Sequence, residues 1–258
     1  MEYLDGRVFT DPFMPGVSPA DRNEMWRSAI QTLINLHSLS PTSLNLSNLS
    51  KQTGFYNRQI KTFTSLSRHQ AQTLDIETRQ PIGPLPHLEE TSAFFRTNQP
   101  VDRTTLVHGD YKIDNIVFHK TEPRVIGVLD WEMATLGHPL SDFVSLVAPF
   151  LPHTWASSPP PTNPNLDLNL NLPTLTECLY LYASSGYDAR GDLTWGRAFA
   201  GFRGAVIMQG IAARYARRQA SSAGAKEFGS MAWPTAEGVW GLVTEMKERD
   251  TFKEKGRL

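Results

Sequence analysis

The sequence predicts an α+β fold, a mainly helical body with a small β-hairpin at its chemical centre. Three observations carry that prediction. Apolar residues recur at helical spacing in several stretches, as at Trp26, Ile30, Leu33 and His37. Two short apolar runs, Thr105–Val107 and Val125–Leu129, stand on either side of a polar turn segment, His119–Pro123, and read as a hairpin whose ends converge. Nearly everything chemical lies in one block, Leu106–Phe143, and the sequence around it reads as scaffold. A chain of 258 residues is long enough to bury one large core or two modest ones.

The helices follow in order. Ser18-Pro19-Ala20-Asp21 is a helix start, with a hydroxyl cap, proline at the first helical position and an acid at the third. The stripe from Trp26 to His37 then faces the core, with His37 as a packed residue. Residues 38–52, rich in Ser, Asn and Leu, form a loop, and a second helix is expected over about 56–74. Pro81, Pro84 and Pro86 break the chain before a third helix, about 88–98. Beyond the block, Gly137–Asp142 opens another helix. Residues 151–173 carry proline and repeated Asn-Leu pairs, which forbid a long regular helix and suggest an exposed insertion. Helices resume at Leu175–Ala183, Leu193–Arg218 and Trp233–Met246, and the charged tail from Lys247 is expected to fray.

Within the block, His108-Gly109-Asp110 follows the first apolar run, Asn115 stands five residues past the aspartate, and Asp130 ends the second run with Glu132 two further on. Convergence of the two runs would bring Asp110, Asn115 and Asp130 together. One carboxylate is then free to orient a hydroxyl, while a carboxylate and a carboxamide offer oxygen to a hard cation. Mg²⁺ takes such ligands, keeps some waters and is commonly held by one or two side chains plus substrate phosphates. Asp130, at the end of a strand expected to be buried, suits this role because a buried carboxylate without a cation or donor is costly. An Asp, an Asn five residues on and an Asp about twenty residues after the first is the order used for phosphoryl transfer in protein-kinase-like enzymes.

These residues resemble the aminoglycoside phosphotransferase and choline kinase superfamily, whose signature has glycine between the histidine and the aspartate, as in His108-Gly109-Asp110. More narrowly, LVHGDYKIDNIVFH followed by VIGVLDWEMATLGHPLSD is similar to kinase-like domains found upstream of acyl-CoA dehydrogenase domains, and to their stand-alone relatives. The resemblance runs to about residue 219 and implies a protein-kinase-like fold, ATP and Mg²⁺ as cofactors, and a small hydroxylated acceptor such as a hydroxyacyl-CoA. It implies Asp110 as the base that aligns the acceptor, His108 as an orienting residue, and Lys112 either near the transferring phosphate or on the surface. Asn115 and Asp130 would hold metal, with Glu132 reaching it through water or bracing the loop. Gly109 would permit a tight backbone, and Asp142 would brace the catalytic loop or cap its helix. Met1–Gly6 resembles the hinge that offers backbone groups to adenine, so Glu2, Tyr3 and Val117 are expected at the nucleotide. The chain then divides into a hinge (1–6), a C-terminal lobe (7–250) and a charged tail (251–258). No G-x-G-x-x-G or G-x-x-x-x-G-K-[ST] motif occurs and the first lysine is Lys51, so the N-terminal small lobe is expected to be missing.

Composition narrows the classes. A formal net charge of −1 without a Lys/Arg block argues against a nucleic-acid partner. The single cysteine, Cys178, excludes an intrachain disulfide and suits an intracellular, cytoplasmic protein. No signal peptide or membrane span is expected. The leading expectation is ATP- and Mg²⁺-dependent phosphorylation of a small-molecule hydroxyl. Two alternatives stand beside it, a truncated, non-catalytic protein with a binding or regulatory role, and a metal-dependent phosphoester hydrolase. Few acids lie on the helix faces after residue 151, which tilts the acceptor away from cations. Oligomeric state is not legible in the sequence.

Overall fold

Two short antiparallel ladders, set among helices, hold the chemical block. The computed structural model describes residues 2–151 and 170–255, with side chains as far as 249, so most of the expected 151–173 insertion lies outside the described residues. In chain order the elements are β1 (Gly6–Arg7), α1 (Pro19–Ser38), α2 (Phe55–Ala71), α3 (Leu88–Thr97), β2 (Thr105–Val107), β3 (Ile116–His119), β4 (Val125–Val128), β5 (Thr135–Gly137), α4 (Leu140–Val147), α5 (Leu175–Tyr182), α6 (Leu193–Ala216), α7 (Ala225–Ser230) and α8 (Ala232–Lys255). The described residues fall into two compact units, one of 2–55, 102–151 and 170–193, the other of 56–101 and 194–255.

In the first unit, α1 begins as its sequence dictates. The Ser18 hydroxyl accepts from the Asp21 amide at 3.2 Å, and Pro19 occupies the first turn, where its missing N–H costs nothing. Met25, Trp26, Ala29, Ile30 and Leu33 are fully buried along one stripe. Arg22 is buried too, and its guanidinium donates to the carbonyls of Met14 (3.3 Å), Val17 (2.7 Å) and Leu170 (2.8 Å). Those carbonyl dipoles replace the water that a buried cation would otherwise lose.

The strands pair differently from the expectation. β4 pairs antiparallel with β3, with Ile116 opposite Val128, and β1 adds on the far side of β3 with Gly6 opposite His119. β2 does not join this hairpin but pairs with β5, a strand not expected from sequence, with Leu106 opposite Leu136. Loop closure explains the choice, since β3 is separated from β4 only by the short His119–Arg124 turn, whereas β2 lies a further loop away. Along the three-stranded sheet Leu4 lies where a side chain at Gly127 would stand, so glycine at 127 makes room for the N-terminal segment.

The second unit is helical. Its core is aromatic, with Tyr56 edge-on to Trp195 at 4.5 Å and Trp195 stacked on Phe199 at 5.1 Å. The Gln209 amide, fully buried on α6, accepts from Ser67 at 2.7 Å and donates to the Gly83 carbonyl at 3.1 Å. Helix α2 ends at Ala71, short of the expected 74, and α7 was not foreseen. The tail does not fray at Lys247 but continues α8 through Lys255, because its Lys, Glu and Arg residues are good helix formers of mixed sign. No helix among the described residues is long and apolar enough to cross a membrane.

Cys178 sits fully buried on α5, and burial, then the charge of Glu177, pushes its thiol up to about 12. Because the native value is raised, the thiol stays protonated at pH 8, with a thiolate fraction of about one in ten thousand. Iodoacetamide at pH 8 should leave the native protein unmodified and alkylate it once in urea, as read by mass spectrometry. Equal rates in the two states would contradict this packing.

Candidate active site

The segments 108–115 and 129–134 are each held at both ends. Val107 opposite Thr135 closes one end of the pair, and Ile116 opposite Val128 closes the other. Between these ladders the Leu129 amide donates to the Asn115 carbonyl at 2.8 Å, and His108 Nε2 donates to the Leu129 carbonyl at 2.8 Å. The loop carrying Asp110 is thus tied to the residue that precedes Asp130.

The loop is anchored from below by Asp142, in the first turn of α4. Its carboxylate is fully buried and accepts the backbone amides of His108 (2.7 Å) and Gly109 (2.8 Å), one on each oxygen. His37, from the last turn of α1, adds Nε2 at 3.2 Å, and its Nδ1 lies 2.5 Å from the Tyr182 hydroxyl of α5. Burial, then the Asp142 charge, raises the Tyr182 and Tyr111 hydroxyls far above the ordinary tyrosine range, so both remain protonated donors. Tyr111 uses its proton to bond the Ala29 carbonyl of α1 at 2.8 Å.

His108 has no free ring nitrogen. Its Nδ1 accepts the Asp110 amide at 3.2 Å while Nε2 serves Leu129, an arrangement that brackets two loops and leaves no site for a proton in transit. Gly109 has φ +90°, and a β-carbon there would stand 2.7 Å from the Met133 carbonyl oxygen. Glycine is required twice, by its dihedral and by the close passage of the second loop.

Asp110 itself reaches solvent, with 32% of its side chain exposed. Asn115 Nδ2 donates to its carbonyl (2.9 Å) and to its Oδ2 (3.0 Å), and Lys112 Nζ stands 3.2 Å from the same Oδ2 and 3.4 Å from Asp114. Partial burial opposes the Lys112 charge, but the two carboxylates outweigh it and hold the ammonium above its ordinary range. Because Asn115 spends both N–H bonds on Asp110, its Oδ1 is left as a hard oxygen donor. Asp130 follows β4 in a left-handed conformation, φ 62°, and is exposed, as is Glu132 in the 3₁₀ turn after it. The burial argument for Asp130 therefore fails: β4 is only half-buried and its end projects into water. Exposed carboxylate and free amide oxygen nevertheless suit a cation that keeps waters and shares phosphate ligands. Glu2 and Tyr3 are exposed, Tyr3 by 85%, whereas Val117 is buried in β3.

Asp110, Lys112, Asn115, His108, Gly109 and Asp142 thus form one bonded set, with Asp130 tethered through Leu129. Glu132, Glu2 and Tyr3 are not bonded into it. Sequence reasoning missed the roles of His37 and Tyr182. The available signal was a polar ring on an otherwise apolar helical stripe.

The profile of the Phosphotransferase enzyme family matches residues 1–168. The chain belongs to this family. A crystal structure from Ralstonia eutropha JMP134, described as a proposed aminoglycoside phosphotransferase, superimposes on this phosphotransferase-family chain with a TM-score of 0.80 at 32% identity, over 95% of this chain and 72% of that one. The ADP-bound aminoglycoside phosphotransferase APH(2'')-Ib shares the fold, with a TM-score of 0.55 at 15% identity over 92% of this chain and 71% of that one. The fold is protein-kinase-like. Among curated proteins, mouse acyl-CoA dehydrogenase family member 10 is 34% identical over 98% of this chain, and human member 11 is 34% identical over 92% of it. The chain spans 23% and 29% of those two relatives.

For this phosphotransferase-family chain the tightest geometric demand is at Gly109. Gly109→Ala should lower the unfolding free energy by about 2 kcal/mol, from the strained dihedral and the clash with Met133. Denaturant titration measures this, and a loss under about 0.5 kcal/mol, the range of ordinary surface changes, would contradict the geometry.

Proposed function

We propose that this chain transfers the terminal phosphoryl group of ATP to a hydroxyl of a small molecule. The observation that carries the reading is the accessible Asp110 carboxylate, oriented by Asn115 and Lys112 on a loop fixed by Asp142. Asp110 accepts the acceptor hydroxyl and aligns it. In a loose transfer that alignment matters more than basicity. Lys112, kept charged by its two carboxylates, counters negative charge arriving at the same spot. Mg²⁺, when bound with ATP, neutralises phosphate charge, and Asn115 Oδ1 and Asp130 are the groups that would hold it, with Glu132 acting through water. Backbone groups beside Glu2 and Tyr3, with Val117 as apolar wall, would receive adenine.

The names of the acyl-CoA dehydrogenase relatives favour a hydroxyacyl thioester as acceptor. A hydrolase with two metals would need more ligands, and among the described residues no three His, Cys, Asp or Glu side chains gather as a metal site.

Calorimetric titration with Mg-ATP and an ADP-release assay over hydroxyacyl-CoA, amino-alcohol and aminoglycoside acceptors separate these readings. Asp110→Asn should cut turnover by about a hundredfold or more while leaving Mg-ATP affinity intact. Asp130→Asn should weaken Mg-ATP binding. Equal loss of binding in both variants would refute the division of roles, and Mg-ATP binding with no turnover on any acceptor would refute the transfer reading.

A further inference from the structure

We infer that His37 and Tyr182 are positioning residues for phosphoryl transfer, acting on Asp110 through Asp142. The kinetic arm of this inference rests on the function proposed above, and the structural arm does not. Asp142 is an acceptor only, so the three groups that meet it must all donate. Two are the amides of His108 and Gly109, and the third is His37 Nε2. The Tyr182 hydroxyl, 2.5 Å from Nδ1, is the second hydrogen-bond partner of the same ring.

The orientation of the Asp142 carboxylate is therefore set from three helices. Tyr182 comes from the end of α5, His37 from the end of α1, and Asp142 from the start of α4. All three side chains are buried, so water is not at hand to replace a lost partner. Tyr182 is held independently by stacking on Phe143, with ring centres 4.2 Å apart at 17°. The two backbone amides lie immediately before Asp110. A carboxylate that loses its third donor is freer to rotate, and each rotation moves the donor geometry of residues 108 and 109. Packing alone would require bulk at positions 37 and 182. This arrangement requires a donor at His37 Nε2 and a hydroxyl at Tyr182.

Tyr182→Phe removes only the hydroxyl and keeps the stack, His37→Leu removes the donor, and His37→Gln retains an N–H that can reach Asp142. Three measurements are made on the full chain: melting temperature, hydrogen exchange of the 108–109 amides, and kcat and KM for Mg-ATP with water or a responsive acceptor. In Tyr182→Phe and His37→Leu, exchange at 108–109 should quicken about tenfold or more, and kcat should fall about tenfold at unchanged KM, within the range that misplacement of reacting groups produces. His37→Gln should stay near wild type in both. Should His37→Leu fail to fold, Tyr182→Phe decides the matter. Unchanged exchange in Tyr182→Phe, or a His37→Gln variant as impaired as His37→Leu, would overturn the inference. Faster exchange in a protein whose wild type turns over no Mg-ATP would uphold the relay and sink the phosphotransfer reading.

Discussion

A single buried carboxylate, Asp142, sets the conditions under which the rest of the site can exist. Taking a charge out of water costs several kcal/mol even after relaxation, and only well-aligned donors offset that cost. Here the donors are two consecutive backbone amides and His37 Nε2, supplemented by the positive end of α4. The dependence is mutual. If the loop shifts, Asp142 is left buried without its two amide donors, so the loop's position is enforced by the penalty for leaving it. The same bonds hold Gly109 at φ +90°, a dihedral that an L-residue would resist.

The two ladders extend that local constraint into a frame. Each pins the end of one loop to an end of the other, and the bonds from His108 and Leu129 cross between them. A site placed on short strands closed at both ends tolerates little drift, which is what alignment of a nucleophile needs. Its cost is crowding. The Met133 backbone passes so near Gly109 that the first loop has no room for a side chain there.

Much of this was legible in the sequence, for reasons that differ by element. Helix α1 announced itself by its cap, its proline and its apolar stripe, all local signals. The Leu106–Phe143 block stood out because chemistry restricts residue type and spacing together. Strand pairing was less so, because β2 and β5 are three residues each and neither has a pattern long enough to name its partner. His37 was legible as buried but not as bonded, since helical periodicity reports a face and says nothing of what a distant chain segment brings to it. The exposure of Asp130 is not legible, because an apolar run such as Val125–Leu129 also fits a buried strand, whereas β4 lies half-covered with water beyond its end.

That exposure changes how metal affinity and fold stability are related. Asp142 must be satisfied at all times, because nothing but protein surrounds it. Asp130 is hydrated at no cost to the fold, and Asn115 keeps its Oδ1 clear by spending its amide hydrogens on Asp110. The groups suited to a cation are thus the ones the fold does not use to hold itself together. Binding energy at Asp130 and Asn115 is then not consumed in repairing a strained or unsatisfied resting state. Under the proposed function it remains available for arranging phosphates against Asp110, whose own position is already fixed from the other side of the loop.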